Sequence, residues 1–252
     1  ISPVQGSGMN IERVPSNVQN FGQDSLTKKK NFSVVETLNR EAAGISISNL
    51  NSSPFQNDIN FRGYVASPLL GTAQSMAIYQ NGMRVNESFG EVVQWDLVPD
   101  FAINNMQIFS GGDPIFGQNA IGGAISMQMK NGFENEGVKT TFSGGEHGRT
   151  NEVLEYGKNF DDYAIYIGAN FNVDKGWREK SESYLETFYS DFRYRGEDTE
   201  LFLNIGQAFT DLRGNGAVPL SLIDLEGLSA VYTYPDNTHN KNYYTNFGGN
   251  HF

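Results

Sequence analysis

The chain has 252 residues, with 18 Lys and Arg against 29 Asp and Glu and a formal net charge of −11. Binding a phosphate backbone needs a surplus of cations, so nucleic acid is excluded as a partner. The absence of Cys removes any disulfide framework, thiolate nucleophile or zinc–thiolate site.

No apolar run reaches the roughly 18 residues of a transmembrane helix, a test that a barrel wall of alternating strands escapes. Among the residues, 28 Gly, 18 Phe and 12 Tyr favour β structure. No basic segment with an apolar run opens the chain, and a start at Ile1 reads as a mature or trimmed product.

In chain order, Val14 to Phe21 predicts a strand. Ser33-Val34-Val35-Glu36 is a capping box opening a short helix through Arg40, with Gly44 as its stop. Short strands follow at Ile45 to Ile47 and at Asp58 to Gly63, then a connection from Tyr64 to Leu70. Ser75 to Val85 predicts a hairpin turning at Asn81-Gly82, because a type I′ turn needs φ above zero at both central residues.

Past Gly137 the pattern becomes long alternating strands. Tyr163, Ile165, Ile167, Ala169, Phe171 and Val173 share one face, and Ala164, Tyr166, Gly168, Asn170 and Asn172 the other. Six strands are expected, near Val138 to Ser143, Asn151 to Gly157, Tyr163 to Val173, Tyr184 to Tyr194, Glu200 to Phe209, and from Tyr243 onward. Short turns at Lys158 to Asp162 and Arg195 to Thr199 alternate with long connections at Asp174 to Ser183 and Asp211 to Lys241. That parity favours an outer-membrane barrel over a soluble sandwich. Open edges suit neither water nor lipid, so the wall is expected to continue past Phe252.

Three stretches carry a resemblance to a known family: Asn60-Phe61-Arg62-Gly63; Met76 to Val85; and Ile115-Phe116-Gly117-Gln118-Asn119-Ala120-Ile121-Gly122-Gly123-Ala124-Ile125-Ser126-Met127. In order and spacing the chain resembles the plug of TonB-dependent outer-membrane receptors, followed by the start of their barrel. Arg62-Gly63 and Asn81-Gly82 are widespread dipeptides, whereas Phe116, Gly117, Ala120, Gly122 and Gly123 form the specific segment. Its glycines permit φ above zero or close backbone approach. No Gly-Lys-Ser or Gly-Lys-Thr follows, and a strand rather than a helix comes next, against a phosphate-cradling loop.

The resemblance implies an α+β plug, a small mixed sheet with short helices, followed by antiparallel transmembrane β-barrel strands that are incomplete in this chain. It divides the chain into an N-terminal segment 1–13, a plug over 14–132 and about six barrel strands over 133–252. It implies uptake of a scarce ligand, a ferric siderophore, haem or cobalamin, across the Gram-negative outer membrane, with periplasmic TonB and its inner-membrane energising complex as partner. No cofactor is implied. Ile1-Ser2-Pro3 reads equally as the tail of the TonB-contacting segment or as ordinary linker.

Gln107 and Ser110 stand where the family commonly carries charges. Arg62 is retained and is expected to pair with a barrel carboxylate. At the plug apex Tyr64, Ser67, Phe89, Gln94 and Trp95 are the candidates to touch ligand. Packing against the wall is the competing role, and for Trp95 the better one. His147, His239 and His251 are widely separated with no partner at helical spacing, so no metal site is expected. No nucleophile elbow or calcium loop occurs, and no enzyme is expected. The alternatives are a passive porin or adhesin, against which a folded N-terminal domain argues, and a secreted carbohydrate-binding β-protein.

Overall fold

The structure, a computed structural model, describes residues 17–27, 33–49 and 53–251. The expected N-terminal segment, Ile1 to Pro3 included, and the first residues of the expected Val14 strand lie outside them. The chain divides into two compact units. One comprises 1–48, 58–95 and 102–130, the other 49–57, 96–101 and 131–252.

The first unit opens with β1 (Val18–Gly22) and α1 (Gln23–Thr27), then α2 (Val34–Glu41). As the capping box predicts, Ser33 Oγ accepts from the Glu36 amide at 3.2 Å, satisfying one of the donors a helix start leaves open. Val34, Val35 and Leu38 bury one face of α2, and Gly44 (φ +81°) turns the chain out of it.

β2 (Ile45–Ser48), β3 (Asp58–Phe61) and β4 (Tyr64–Ala66) form a three-stranded sheet. The sequence places a strand through Gly63 and a connection after it. Instead Phe61 pairs directly with Tyr64, and Arg62 (φ 53°) and Gly63 (φ 90°) are the two central residues of a type I′ turn. Asn60 Oδ1 accepts from the Gly63 amide at 2.9 Å and so holds an arginine in a left-handed conformation it rarely adopts.

The second sheet of this unit runs in the order β1-β7-β8-β5-β6, with β5 (Met76–Gln80), β6 (Met83–Arg84), β7 (Ile103–Ser110) and β8 (Gly123–Met129). β5 and β8 pair in parallel while the other pairs are antiparallel, which makes the sheet mixed. All five residues of β5 are buried, the condition of a strand covered on both faces. The β5–β6 hairpin turns at Asn81 (φ 46°) and Gly82 (φ 78°) as expected.

The other unit is an antiparallel sheet in the linear order β14-β13-β12-β11-β10-β9. Its strands are β9 (Gly137–Gly144), β10 (Thr150–Phe160), β11 (Tyr163–Asp174), β12 (Ser183–Arg195), β13 (Thr199–Arg213) and β14 (Asn237–His251). Asp161-Asp162 and residues 196–198 make the short turns; residues 145–149, 175–182 and 214–236 make the longer connections at the opposite end. The last of these is shorter than its sequence suggests, because β14 begins at Asn237 and the loop holds a helix, α3 (Leu220–Glu226).

On β11 the faces separate as alternation requires: Ala164, Tyr166, Gly168, Asn170 and Asn172 are buried, whereas Tyr163 and Phe171 are exposed. From Tyr163 to Val173 the apolar face covers ten residue steps, about 34 Å along the strand and about 26 Å along the normal at the ~40° tilt of such walls. That height matches the apolar band of an outer-membrane barrel, about 25 Å.

Two earlier stretches belong to this wall unit. Phe55 packs with Leu185 and Leu212. Asp96, buried, accepts from Thr210 Oγ1 and from Asn240 Nδ2, both at 3.0 Å, on one carboxylate oxygen. The Phe101 ring fills the space where a Cβ of Gly168 would stand.

Candidate functional site

The glycine-rich segment 116–123 joins β7 to β8 and lies against the β5–β6 hairpin. Asp113 opens it by accepting from the Ile115 amide at 3.0 Å, and Gly117 (φ +75°) and Gly123 (φ +123°) take backbone conformations that L side chains resist. A Cβ on Gly123 would overlap the Phe109 carbonyl, and one on Gly122 would overlap Tyr64 Cβ. The glycines are thus required by close approach as well as by φ.

Beneath the segment, Phe116 and Ala120 pack with Ala77, Tyr79, Phe109 and Ala124. The Phe109 and Phe116 rings are 5.5 Å apart and tilted.

Polar contacts fasten the loop to the hairpin. Tyr79 Oη donates to the Phe116 carbonyl at 2.8 Å. One guanidinium nitrogen of Arg84 donates both to the Gln118 carbonyl and to Glu91 Oε2, each at 2.7 Å. Asn86 Oδ1 accepts from the Ile78 amide and from Arg84 Nε, while its amide nitrogen donates to the Met76 and Glu91 carbonyls. At the turn itself, the Asn81 amide donates to the Met127 carbonyl and Asn81 Oδ1 accepts from the Met129 amide. Burial raises the Tyr79 phenol above its ordinary pKa, and the Arg84 charge opposes that rise.

The apex candidates separate by burial. Ser67 is fully buried, donates to Asp58 Oδ1 and accepts from the Leu69 amide. Trp95 is 4% exposed, with Nε1 directed at the Ala66 carbonyl at 3.5 Å. Gln94 is half-buried. Tyr64 is 38% exposed and Phe89 78%.

Leu70, the end of the predicted Tyr64 to Leu70 connection but not singled out within it, is 63% exposed and reaches to 2.7 Å of where a Cβ on Gly90 would stand, beside Phe89. The Val93 amide donates to the Ser67 carbonyl at 2.9 Å and ties the two loops together. The signal for Leu70 was available in Leu69-Leu70-Gly71, an apolar pair within a predicted loop.

Arg62 stacks its guanidinium over the Phe61 ring at 5.2 Å. Gln107 is buried in β7. In the wall unit, Arg193 pairs with Asp191 and with Glu200, both at 3.0 Å, and the Tyr166 hydroxyl donates to Glu155 Oε1 at 2.8 Å.

At the long-connection end, Arg178 donates to the Asn215 and Gly216 carbonyls, both at 3.0 Å, and Asn215 donates back to the Glu179 carbonyl at 3.1 Å. These bonds weld two loops into one structure, on which Trp177, Tyr232 and Tyr234 remain exposed.

Residues 10–124 match the family model described as TonB-dependent Receptor Plug Domain. No curated protein matches the chain. Among solved structures, FpvA of P. aeruginosa, solved with heterologous pyoverdines, superposes with a TM-score of 0.68 at 12% identity over 96% of this chain and 32% of that one. The ferric yersiniabactin uptake receptor FyuA from Yersinia pestis gives 0.64 at 12% identity, over 83% and 34%. The ferric-catecholate import receptor Fiu from E. coli K12 gives 0.63 at 16%, over 82% and 29%. The chain thus spans about a third of the length of the structures it matches.

Proposed function

From a chain that is the plug domain and first wall strands of a TonB-dependent receptor, we infer gated uptake of a scarce extracellular ligand across the Gram-negative outer membrane. The observation that carries the reading is the fastening of the glycine-rich segment 116–123 to the Asn81-Gly82 hairpin through Arg84, Glu91 and Tyr79. A folded, hydrogen-bonded plug blocks passive diffusion, so passage requires work on it. The outer membrane holds no nucleotide, and periplasmic TonB, pulling from the N-terminal side, is the source of that work.

A ferric chelate is the ligand class favoured by what FyuA and Fiu take up. Of the apex residues, Phe89, Leu70 and Tyr64 present exposed apolar surface for it, while buried Ser67 and Trp95 shape the loops beneath. Arg62 is the cation for a wall carboxylate in the complete receptor.

The test is growth of cells carrying the full-length receptor on a panel of ferric chelates, with and without TonB. Growth on one chelate that requires both proteins is expected. Uptake that continues unchanged without TonB refutes the reading.

A further inference from the structure

The membrane-facing side of the wall carries a groove of about 340 Å³ at the short-turn end, floored and walled by Phe160, Tyr163, Ile165, Phe192, Leu203 and Phe247. The register explains how these side chains meet. Ile165 pairs with Phe192, Phe192 with Leu203, and Leu203 with Phe247, one row across four strands, while Phe160 and Tyr163 pair in the next row toward the turn. All six lie on the face opposite buried Ala164, Tyr166, Asn204 and Leu185. The groove is therefore continuous with the apolar face that meets lipid. Because strands tilt about 40° from the normal, such a row stands about 50° from it, so an acyl chain in the groove leans across the strands rather than standing upright.

One margin of the groove is charged. Lys158 is the direct cross-strand partner of Ile165. Its ammonium lies 2.9 Å from Glu136 Oε1, with both side chains about half exposed, and the Asn159 amide donates to the same oxygen at 3.3 Å. A lysine stem on an apolar face with its head drawn to the strand end is the snorkelling geometry of a membrane boundary. The carboxylate beside it is the less expected half, since a headgroup phosphate alone would call for cations only. Together the two charges complement a zwitterion: the phosphate meets Lys158, and a donor ammonium meets Glu136.

The geometry points to a phospholipid site on the outer wall, specific for a phosphoethanolamine headgroup, with one acyl chain lying in the groove in the periplasmic leaflet. The short turns place that end in the periplasmic half of the membrane. Apolar walls recognise the chain and the Lys158–Glu136 pair recognises the head. A trimethylammonium headgroup has no N–H to donate to Glu136, and a glycerol headgroup has no cation.

The experiment uses the full-length receptor, purified in mild detergent and relipidated with phosphatidylethanolamine, phosphatidylcholine or phosphatidylglycerol. Bound lipid is counted by native mass spectrometry after detergent exchange. One phosphatidylethanolamine per receptor is expected to survive, in preference to the other two lipids. Leu203→Trp, which fills the groove, should lower retention about ten-fold, the equivalent of roughly two buried methylenes, and Glu136→Gln should abolish the preference while leaving an acyl chain bound.

Folding is checked by heat-modifiable gel migration, and Ile165→Phe serves as a second filler should Leu203→Trp fail that check. Equal retention of all three lipids by the unmodified receptor, or undiminished retention in a folded groove-filled variant, overturns the proposal. Ligand uptake is measured alongside, so that loss of the lipid site and failure of the transport reading give different results.

Discussion

Replacing Arg84 by Met keeps the aliphatic stem but removes the charge that ties the hairpin to the glycine-rich segment. Two short contacts are lost, the ion pair with Glu91 and the hydrogen bond to the Gln118 carbonyl, each at 2.7 Å, along with a longer bond inside the hairpin from Nε to Asn86 Oδ1 at 3.3 Å. Both side chains of the ion pair are about a quarter exposed, 25% and 27%, so solvent screening holds its worth to about 0.5 kcal/mol. A charged donor on a neutral carbonyl contributes about 1.5 kcal/mol. The segment's local opening should therefore become easier by about 2 kcal/mol, or roughly 30-fold in the opening equilibrium.

Hydrogen exchange of the amides over 116–123 in the full-length receptor reads that factor directly. Glu91→Gln removes the ion pair while sparing the carbonyl bond, so it should speed exchange there by only about two-fold. Faster exchange confined to 85–92 in the Arg84→Met variant, with 116–123 unchanged, would show that the latch holds the hairpin alone.

Tyr79 adds a pH dependence. Its folded pKa is raised by burial, so the stability it lends is fully present below the unfolded value of about 10 and is lost as pH rises through the folded value. Alkaline denaturation followed by phenolate absorbance should lose one late-titrating group in Tyr79→Phe. At neutral pH that variant costs about 1 kcal/mol for the bond to the Phe116 carbonyl.

Gly122→Ala should lower the yield of folded plug, and Tyr64→Ala should not rescue it, because the obstacle includes Tyr64 Cβ itself. Rescue by Tyr64→Ala, scored by protease resistance, would place the clash farther along the ring.

Asp96→Ala leaves Thr210 and Asn240 without their shared acceptor and should cost about 2–3 kcal/mol. Asp96→Asn, which keeps an acceptor oxygen, should cost less. Exchange rates over 96–101 separate the two outcomes.

Local chemistry made several elements legible in advance. Ser33 with Glu36 opens α2 and Asn81-Gly82 turns the β5–β6 hairpin because caps and type I′ turns depend on residues a few positions apart. The wall strands β10 to β13 were legible because one face is buried and the other is not, so burial changes at nearly every residue.

Other features answered to partners distant in the chain. The turn at Arg62-Gly63 was hidden because only Asn60 bonding back to Gly63 makes a left-handed arginine tolerable, and β4 beyond it was read as loop for that reason. The hairpin predicted over Ser75 to Val85 includes β5, but that all five of its residues are buried and that it pairs in parallel with β8 depend on chain far from it.

The glycine-rich segment was identifiable as a motif, but its fastening by Arg84 and Tyr79 depends on chain 34 and 37 residues away. That Ser67 and Trp95 are buried while Phe89 is exposed depends on packing. By itself the sequence determined the turns, the cap and the two-faced wall, where the information is local or strictly periodic. Which polar groups meet, which aromatics stay exposed, and that Phe55 and Asp96 belong with the wall strands were decided by the tertiary structure, because close packing brings together residues that no spacing along the chain relates.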